Sequence, residues 1–276
     1  MVLLLVVAAV FIYVFQALDI YGIIFNPATS MTTLSPSANM TNASPSPGAF
    51  ASLSPTGSGL MATGKISEEI KMNGITLYGV QLGVFSKEDN AMTTAAKYKP
   101  EGAAGYMLKE DGLFRVVDSV YYKQDDAKVV RDAYKKGSAA DACILRVEVS
   151  GISWKVSATK EQIQAIRSAI SIMQSQIVIL IDTQKKAQQK QGTSEDYKAV
   201  IKASAQKFSE ASTSMMNSLG PTNSPIIKKL NESLKESADS LNALAEADST
   251  DAVALISGLK YNIIDILLKL EQKLLN

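Results

Sequence analysis

Apolar and polar residues alternate in short runs between residues 74 and 149, and two helical stretches interrupt the alternation. Alternation indicates half-buried strands, whereas apolar residues three and four apart indicate helices. The pattern predicts strands at 74–85, 104–110, 113–120 and 142–149, with helices at 87–99 and from 125 or 126 to 136. The order βαββαβ predicts an α+β domain of ferredoxin-like type, in which two helices cover one face of an antiparallel sheet and the other face is open.

The strands and helices of this region form an internal repeat. Residues 80–108 match residues 116–144 at an offset of 36 positions, so that Val80 corresponds to Val116 and Tyr98 to Tyr134. Self-similarity at a fixed offset indicates one strand–helix–strand unit that is used twice. The repeat therefore supports a single domain at 74–150.

Beyond residue 156 the apolar positions recur three and four residues apart in four long segments with short connections. The first and last of these carry the clearest stripes: Ile163, Ile166, Ile170, Met173, Ile177 and Leu180, then Ile256, Leu259, Ile263, Ile266, Leu270 and Leu274. We predict an antiparallel four-helix bundle at 157–276, with a core separate from that of the sheet domain. Additional apolar residues on the first helix indicate either an oligomer contact or a seat against the sheet domain.

The first 25 residues are almost wholly apolar, with Gln16 and Asp19 as the polar exceptions before Asn26. A helix over residues 1–25 is long enough to span a bilayer, so we predict a transmembrane anchor. A cleaved signal peptide is the alternative, although a charged n-region and a clear cleavage site are missing. Residues 26–73 follow as a predicted disordered tether, because 26–64 is rich in Ser, Thr and Pro and contains no charged residue.

Composition excludes several classes of function. The chain has no histidine, which removes Ser–His–Asp and Cys–His catalysis and the commonest metal ligand. Its net charge of +1 is spread evenly, so nucleic acid is not an expected partner. Cys143 is the only cysteine, which excludes an internal disulfide. We therefore predict a protein that is not an enzyme and that needs no cofactor and no metal.

Strand parity predicts which side chains lie on the open face of the sheet. Placing the bulky apolar residues of the first and third strands under the helices leaves Gln81 and Arg115 on the open face. On the fourth strand we expect Ile144 and Arg146 to share that face, with Cys143 in the core.

The run Tyr-Gly-Val-Gln-Leu-Gly-Val-Phe-Ser at 78–86, together with Phe-Arg-Val at 114–116 and the helix start at 125–127, resembles the SPOR (sporulation-related repeat) domain over about 76–149. The resemblance implies binding to bacterial peptidoglycan, in particular to glycan strands without stem peptides at division or sporulation septa. It also implies a ligand site on the open sheet face, at Gln81, Val84, Leu113, Arg115 and Ile144. Removal of a stem peptide leaves a lactyl carboxylate on muramic acid, and we hypothesise that Arg115, supported by Arg146, binds this group.

The sequence differs from the usual SPOR pattern at three places. Val84 stands where a small residue is usual, Leu113 where an aromatic residue would stack on a sugar, and Asp118-Ser119-Val120 where an apolar residue and Gly-Pro are common.

Two functions therefore stay open. The first is a membrane-anchored, extracytoplasmic protein of the cell membrane that binds denuded glycan strands in bacterial cell division or sporulation. The second is a septal or sporulation scaffold that assembles with itself or with a protein partner through 157–276 and binds glycan weakly or not at all. A wall hydrolase is disfavoured, because histidines for a zinc amidase and a carboxylate pair for a glycosidase are both missing.

Overall fold

The computed structural model describes residues 64–247 and 251–275. The predicted anchor at 1–25 and most of the predicted tether lie outside these residues. The described strands are β1 (Ile66–Met72), β2 (Ile75–Phe85), β3 (Tyr106–Glu110), β4 (Leu113–Tyr121), β5 (Cys143–Val149) and β6 (Ile152–Ala158). The described helices are α1 (Glu88–Tyr98), α2 (Gln124–Lys136), α3 (Lys160–Gln188), α4 (Ser194–Leu219), α5 (Pro225–Glu246) and α6 (Ala252–Leu275).

Four of the strands form an antiparallel sheet in the order β3-β4-β2-β5. Helices α1 and α2 pack on one side of it, which we name the helical face. The core on this side is built from Val80, Leu82, Ala91, Ala95, Tyr98, Val116 and Ala127. At the β3–β4 turn, Asp111 and Gly112 both have positive φ angles, of 51° and 74°, as expected of a two-residue hairpin turn. The α+β class and the βαββαβ order are confirmed.

A second, two-stranded sheet pairs β1 with β6, from Ile66 opposite Ala158 to Met72 opposite Ile152. It continues the β2–β5 pair, and the chains approach closely where the two ribbons join. A Cβ atom on Gly74 would lie only 2.9 Å from the backbone nitrogen of Gly151, so both positions require glycine. Strand β1 lies inside the range 26–73 that was predicted as a disordered tether. The end of that predicted range is therefore folded.

Helices α3 to α6 pack consecutively, and α6 also packs against α3. Capping boxes start two of them: Thr159 with Gln162 begins α3, and Thr193 with Asp196 begins α4. Helix α3 is long and apolar enough to cross a membrane by length and composition alone. Its apolar side chains, however, pack in the core shared with β1, the sheet and the other helices.

The helical half and the sheet domain share one core, so the predictions of two separate cores and of an open sheet face are wrong. Leu77, Val117 and Val149 of the sheet belong to the same buried cluster as Ile170 of α3 and Leu267 of α6. The reason lies in α6, which carries apolar side chains beyond its predicted stripe. Ile264, Leu267 and Leu268 meet the sheet on the side opposite α1 and α2, which we name the opposite face.

Candidate functional site

Helix α6 closes most of the opposite face of the sheet. Leu108, Val117, Val120 and Val147 from three strands meet Ile264, Leu267 and Leu268 from α6. The cavity left between them measures about 10 Å³, which is at the lower limit for holding a single water molecule. A ligand therefore has no access to this part of the face.

A buried ion pair fastens α6 to the sheet. Lys260 Nζ lies 2.8 Å from Asp118 Oδ1, and the two side chains are 3% and 0% exposed. Lys260 also donates to the carbonyl oxygen of Gly102 at 2.8 Å, and Ser257 Oγ donates to that of Ala103 at 2.6 Å. The hydroxyl of Tyr134 donates to the same Asp118 oxygen at 3.2 Å. Burial first, and then the Asp118 charge, raises the pKa of Tyr134, so this hydroxyl keeps its proton.

The position of Asp118 depends on a bulge in β4. Val80 pairs with Ser119 and Gln81 pairs with Val117, so Asp118 is the extra residue between them. A charged residue here departs from the usual SPOR pattern. The structure gives its physical reason, because α6 supplies the counter-charge.

Two tyrosines and two carboxylates fix the rest of α6 against the sheet. Tyr106 of β3 stacks obliquely on Tyr261 with ring centroids 5.0 Å apart, and its hydroxyl donates to Asp265 Oδ1 at 3.4 Å. Burial, together with the Asp265 charge, raises the pKa of Tyr106. Near the end of β5, the backbone N–H of Ser150 donates to Glu271 Oε1 at 2.9 Å. Helix α6 therefore runs from the edge at β3 to the edge at β5.

Among the described residues, α6 leaves uncovered the end of the opposite face that carries Gln81 and Arg115. We name this surface the sheet-end patch, and its residues are Gln81, Val84, Glu110, Leu113, Arg115 and Cys143. Val84 is 39% exposed and Cys143 is exposed, whereas Gln81 is 5% exposed.

A second bulge, in β2, builds the patch. Residues 81 and 84 are an odd number apart and would point to opposite faces in a regular strand. Leu82 is the extra residue between the pairs Gln81–Val117 and Gly83–Val116, which returns Val84 to the face of Gln81. At the next position a Cβ atom on Gly83 would lie 2.8 Å from the Phe85 ring. A larger residue at position 83 would therefore have to displace the Phe85 ring.

A chain of polar contacts crosses all four strands of the patch. Arg115 Nε lies 3.1 Å from Glu110 Oε2, and Arg115 Nη1 donates to Gln81 Oε1 at 3.0 Å. Gln81 Nε2 in turn donates to Cys143 Sγ at 3.1 Å. The guanidinium, whose side chain is 23% exposed, is therefore held in a fixed orientation on two sides.

The sequence-predicted residues divide between the two faces. Gln81, Val84, Leu113 and Arg115 come together in the patch, but Ile144 and Arg146 do not, and the prediction that they share its face is wrong. Ile144 pairs with Val80 and Arg146 with Tyr78, and both partners pack on the helical face. Arg146 is 66% exposed there and pairs with Glu148 at 2.7 Å. Cys143, predicted for the core, lies in the patch. Glu110 belongs to the patch and was missed, although its place beside the Asp-Gly turn sets it across the hairpin from Leu113.

Comparison with known families gives a match at the sheet domain: the SPOR domain profile covers residues 75–146. Residues 75–146 are a SPOR domain. SPOR domains bind peptidoglycan in cell division and are binding modules without catalytic activity, and this assigns the class of ligand to the sheet. Searches of curated proteins and of solved structures gave no match. The match spans about a quarter of the chain, so α3 to α6 lie outside the family.

A much larger cavity than the one under α6 lies elsewhere. It measures about 1080 Å³ and lies between α2, the end of α3 and the start of α6, with Val129, Tyr134, Lys185, Tyr197 and Val253 in its lining. The described residues contain no group of three or more Asp, Glu or Cys side chains placed to hold a metal ion.

Proposed function

We propose that the chain is a membrane-anchored, extracytoplasmic protein that binds denuded glycan strands of peptidoglycan through the sheet-end patch, in bacterial cell division or sporulation. Residues 1–25 would anchor it and the segment after them would tether it. The observation that carries the proposal is the preset arginine: within a SPOR domain, Arg115 is held by Gln81 and Glu110 on the accessible part of the opposite face.

The chemistry of the patch fits a glycan that carries a carboxylate. The described contacts of Arg115 use Nε and Nη1, and the five N–H donors of a guanidinium leave others for a ligand. Charge-assisted bonds from arginine to a carboxylate are stronger than bonds between neutral groups. Val84 and Leu113 provide the apolar floor beside it. Denuded muramic acid offers both a lactyl carboxylate and an apolar sugar face.

The size of the patch limits the ligand to a short stretch of glycan. It is four strands wide, and along β4 it extends four residues, from Val117, the partner of Gln81, to Leu113. With strands about 4.8 Å apart and about 3.3 Å of rise per residue, it measures roughly 14 Å by 13 Å. Helix α6 blocks extension along the sheet. We therefore expect contacts with a few sugars and not with a long strand.

Co-sedimentation with cell wall that an amidase has stripped of stem peptides tests the proposal. Arg115→Ala is expected to weaken binding about tenfold or more, since it removes a charged hydrogen-bond donor. Arg146→Ala is the matched control, because it removes an arginine from the helical face of the same sheet. Its affinity for the stripped cell wall should stay within about twofold of wild type. Equal binding of Arg115→Ala and wild type would refute the assignment.

A septal scaffold is the second candidate, and the coverage of the sheet by α6 favours it. In that case α3 to α6, arranged as an antiparallel bundle, would serve assembly, and the SPOR domain would be part of their structural support. The same sedimentation assay separates the two candidates. A wild-type chain that is folded and self-associates but does not sediment with stripped cell wall would be a scaffold.

A further inference from the structure

We propose that Glu110 is an internal competitor for the ligand carboxylate at Arg115, and that it sets both the affinity and the selectivity of the sheet-end patch. The proposal rests on the proposed function and names a specificity-determining residue for it. Its basis is the contact between Arg115 Nε and Glu110 Oε2 at 3.1 Å.

The two partners of this contact differ in how firmly they are held. The Arg115 side chain is 23% exposed and is also fixed by Gln81, whereas the Glu110 side chain is 51% exposed. Glu110 is the last residue of β3 and precedes the Asp111-Gly112 turn. A carboxylate at an exposed hairpin end can move away while the guanidinium stays in place.

The chemistry of a displacement follows directly. A carboxylate from the ligand and the carboxylate of Glu110 compete for the same N–H donors, and a guanidinium engages a carboxylate best through two parallel bonds. A neutral sugar cannot replace the charge that Glu110 supplies. A neutral sugar therefore leaves the Arg115–Glu110 pair in place, whereas a ligand carboxylate has to break it to reach the guanidinium, so the pair lowers the affinity only for ligands that carry a carboxylate.

The expected size of this effect is modest. Exposed ion pairs contribute little to stability in water, typically less than a tenfold factor in an equilibrium constant. Removing the competitor should thus raise the affinity for stripped glycan by about two- to fivefold. For a glycan whose muramic carboxyl groups have been reduced to alcohols, removing Glu110 should leave the affinity nearly the same as that of the wild-type chain.

The experiment measures binding of the full chain to two probes, stripped glycan and carboxyl-reduced stripped glycan. Glu110→Gln removes the charge, and Glu110→Asp keeps the charge but shortens the side chain by one methylene, so that it reaches Arg115 less well. Glu148→Gln is the matched control, because Glu148 pairs with Arg146 on the helical face in an exposed ion pair of the same kind. Thermal unfolding of each variant confirms that all are equally folded.

The proposal expects both Glu110 variants to bind stripped glycan two- to fivefold more tightly, Glu148→Gln to be unchanged, and Glu110→Gln/Arg115→Ala to bind no better than Arg115→Ala. If Glu110→Gln binds equally or more weakly while wild type binds and Arg115→Ala does not, the competitor role is overturned and the glycan site stands. If Glu110→Asp binds stripped glycan as wild type does while Glu110→Gln binds it more tightly, competition for Arg115 is overturned. Glu110 would then act only through the general repulsion between its negative charge and the ligand carboxylate. If wild type binds neither probe, the proposed function and this inference both fail.

Discussion

Lys260 and Asp118 form a buried ion pair, 2.8 Å from Nζ to Oδ1, that joins α6 to β4, a central strand of the SPOR sheet. Neither side chain is accessible to water. The pair fixes the position of α6 along the sheet, because an isolated charge at either position would be strongly unfavourable in the interior. It explains why this SPOR domain has an aspartate where the family commonly has an apolar residue.

The ion pair predicts a large and non-additive loss of stability. Lys260→Met leaves the Asp118 carboxylate buried without its counter-charge and should lower the free energy of unfolding by about 3–5 kcal/mol. Asp118→Asn/Lys260→Met should cost less than the sum of the two single changes, as measured by urea unfolding in a double-mutant cycle. The exposed ion pair between Arg146 and Glu148 is the control. Glu148→Gln should lower the free energy of unfolding by no more than about 1 kcal/mol. Additive losses would show that the two side chains do not interact.

The shared core predicts that the SPOR domain and the C-terminal helices unfold together. Leu267 of α6 is 1% exposed and lies against the sheet, so Leu267→Ala should cost about 2–5 kcal/mol. Trp154 fluorescence and far-ultraviolet circular dichroism should report one coincident urea transition in wild type. Two separated transitions, with only one of them shifted by Leu267→Ala, would indicate independent domains.

The tyrosine at the α6 contact predicts a loss of stability at alkaline pH. The pKa of Tyr106 is raised in the folded chain by burial and by Asp265, whereas in the unfolded chain it is about 10. Below pH 10 the residue is neutral in both states, and above it only the unfolded state ionises, so the free energy of unfolding falls as pH rises. Tyr106→Phe should make this fall shallower between about pH 10 and 11.5. If the free energy of unfolding of Tyr106→Phe falls with pH as steeply as that of wild type, Tyr106 does not contribute to the alkaline loss of stability.

The position of Cys143 predicts a thiol that reacts in the folded chain. Cys143 is exposed at the sheet-end patch and accepts a hydrogen bond from Gln81. A maleimide should therefore label it at native conditions, and saturating stripped glycan should slow the labelling severalfold. The labelling rate of the chain unfolded in urea gives the reference for a fully accessible Cys143 thiol. Labelling that requires unfolding would place the thiol in the core, and labelling that ignores the glycan would place the ligand elsewhere.

The sequence pattern locates the strands well but does not reveal which layer covers each face. On β5, Leu145 and Val147 alternate with Ile144, Arg146 and Glu148 and pack, partly buried, against the shared core. Both faces of this sheet are covered, however, so alternation cannot distinguish burial under α1 and α2 from burial under α6. The residues Ile144 and Arg146 were assigned to the wrong face for this reason. On β2 and β4 the predicted common face of Gln81 and Arg115 agrees with the strand pairing, because the bulky apolar residues next to them do pack under α1 and α2.

Two signals in the sequence could have revealed the coverage. The opposite face carries Leu77, Val117 and Val147, which is more apolar than a solvent-exposed face would be. The last helix has apolar residues on more than one side, which indicates a helix buried between two layers. Strand β6 also had a readable pattern, since Ile152, Trp154, Val156 and Ala158 alternate strictly with polar residues. The two bulges around Gln81 and Asp118, by contrast, depend on pairing between distant strands and leave no periodic signal.

The central claim is that α6 occupies the opposite face of the SPOR sheet and confines the glycan to the sheet-end patch. Amide chemical shifts of the isotope-labelled chain, titrated with stripped glycan oligomers, test it most directly. The account predicts changes at Gln81, Val84, Leu113 and Arg115, with the amides of Val117, Val147 and Leu267 unaffected. Changes that extend over Val117 and Val147 and are accompanied by loss of the α6 contacts at Leu267 would contradict it, because the glycan would then displace the helix and lie along the whole face.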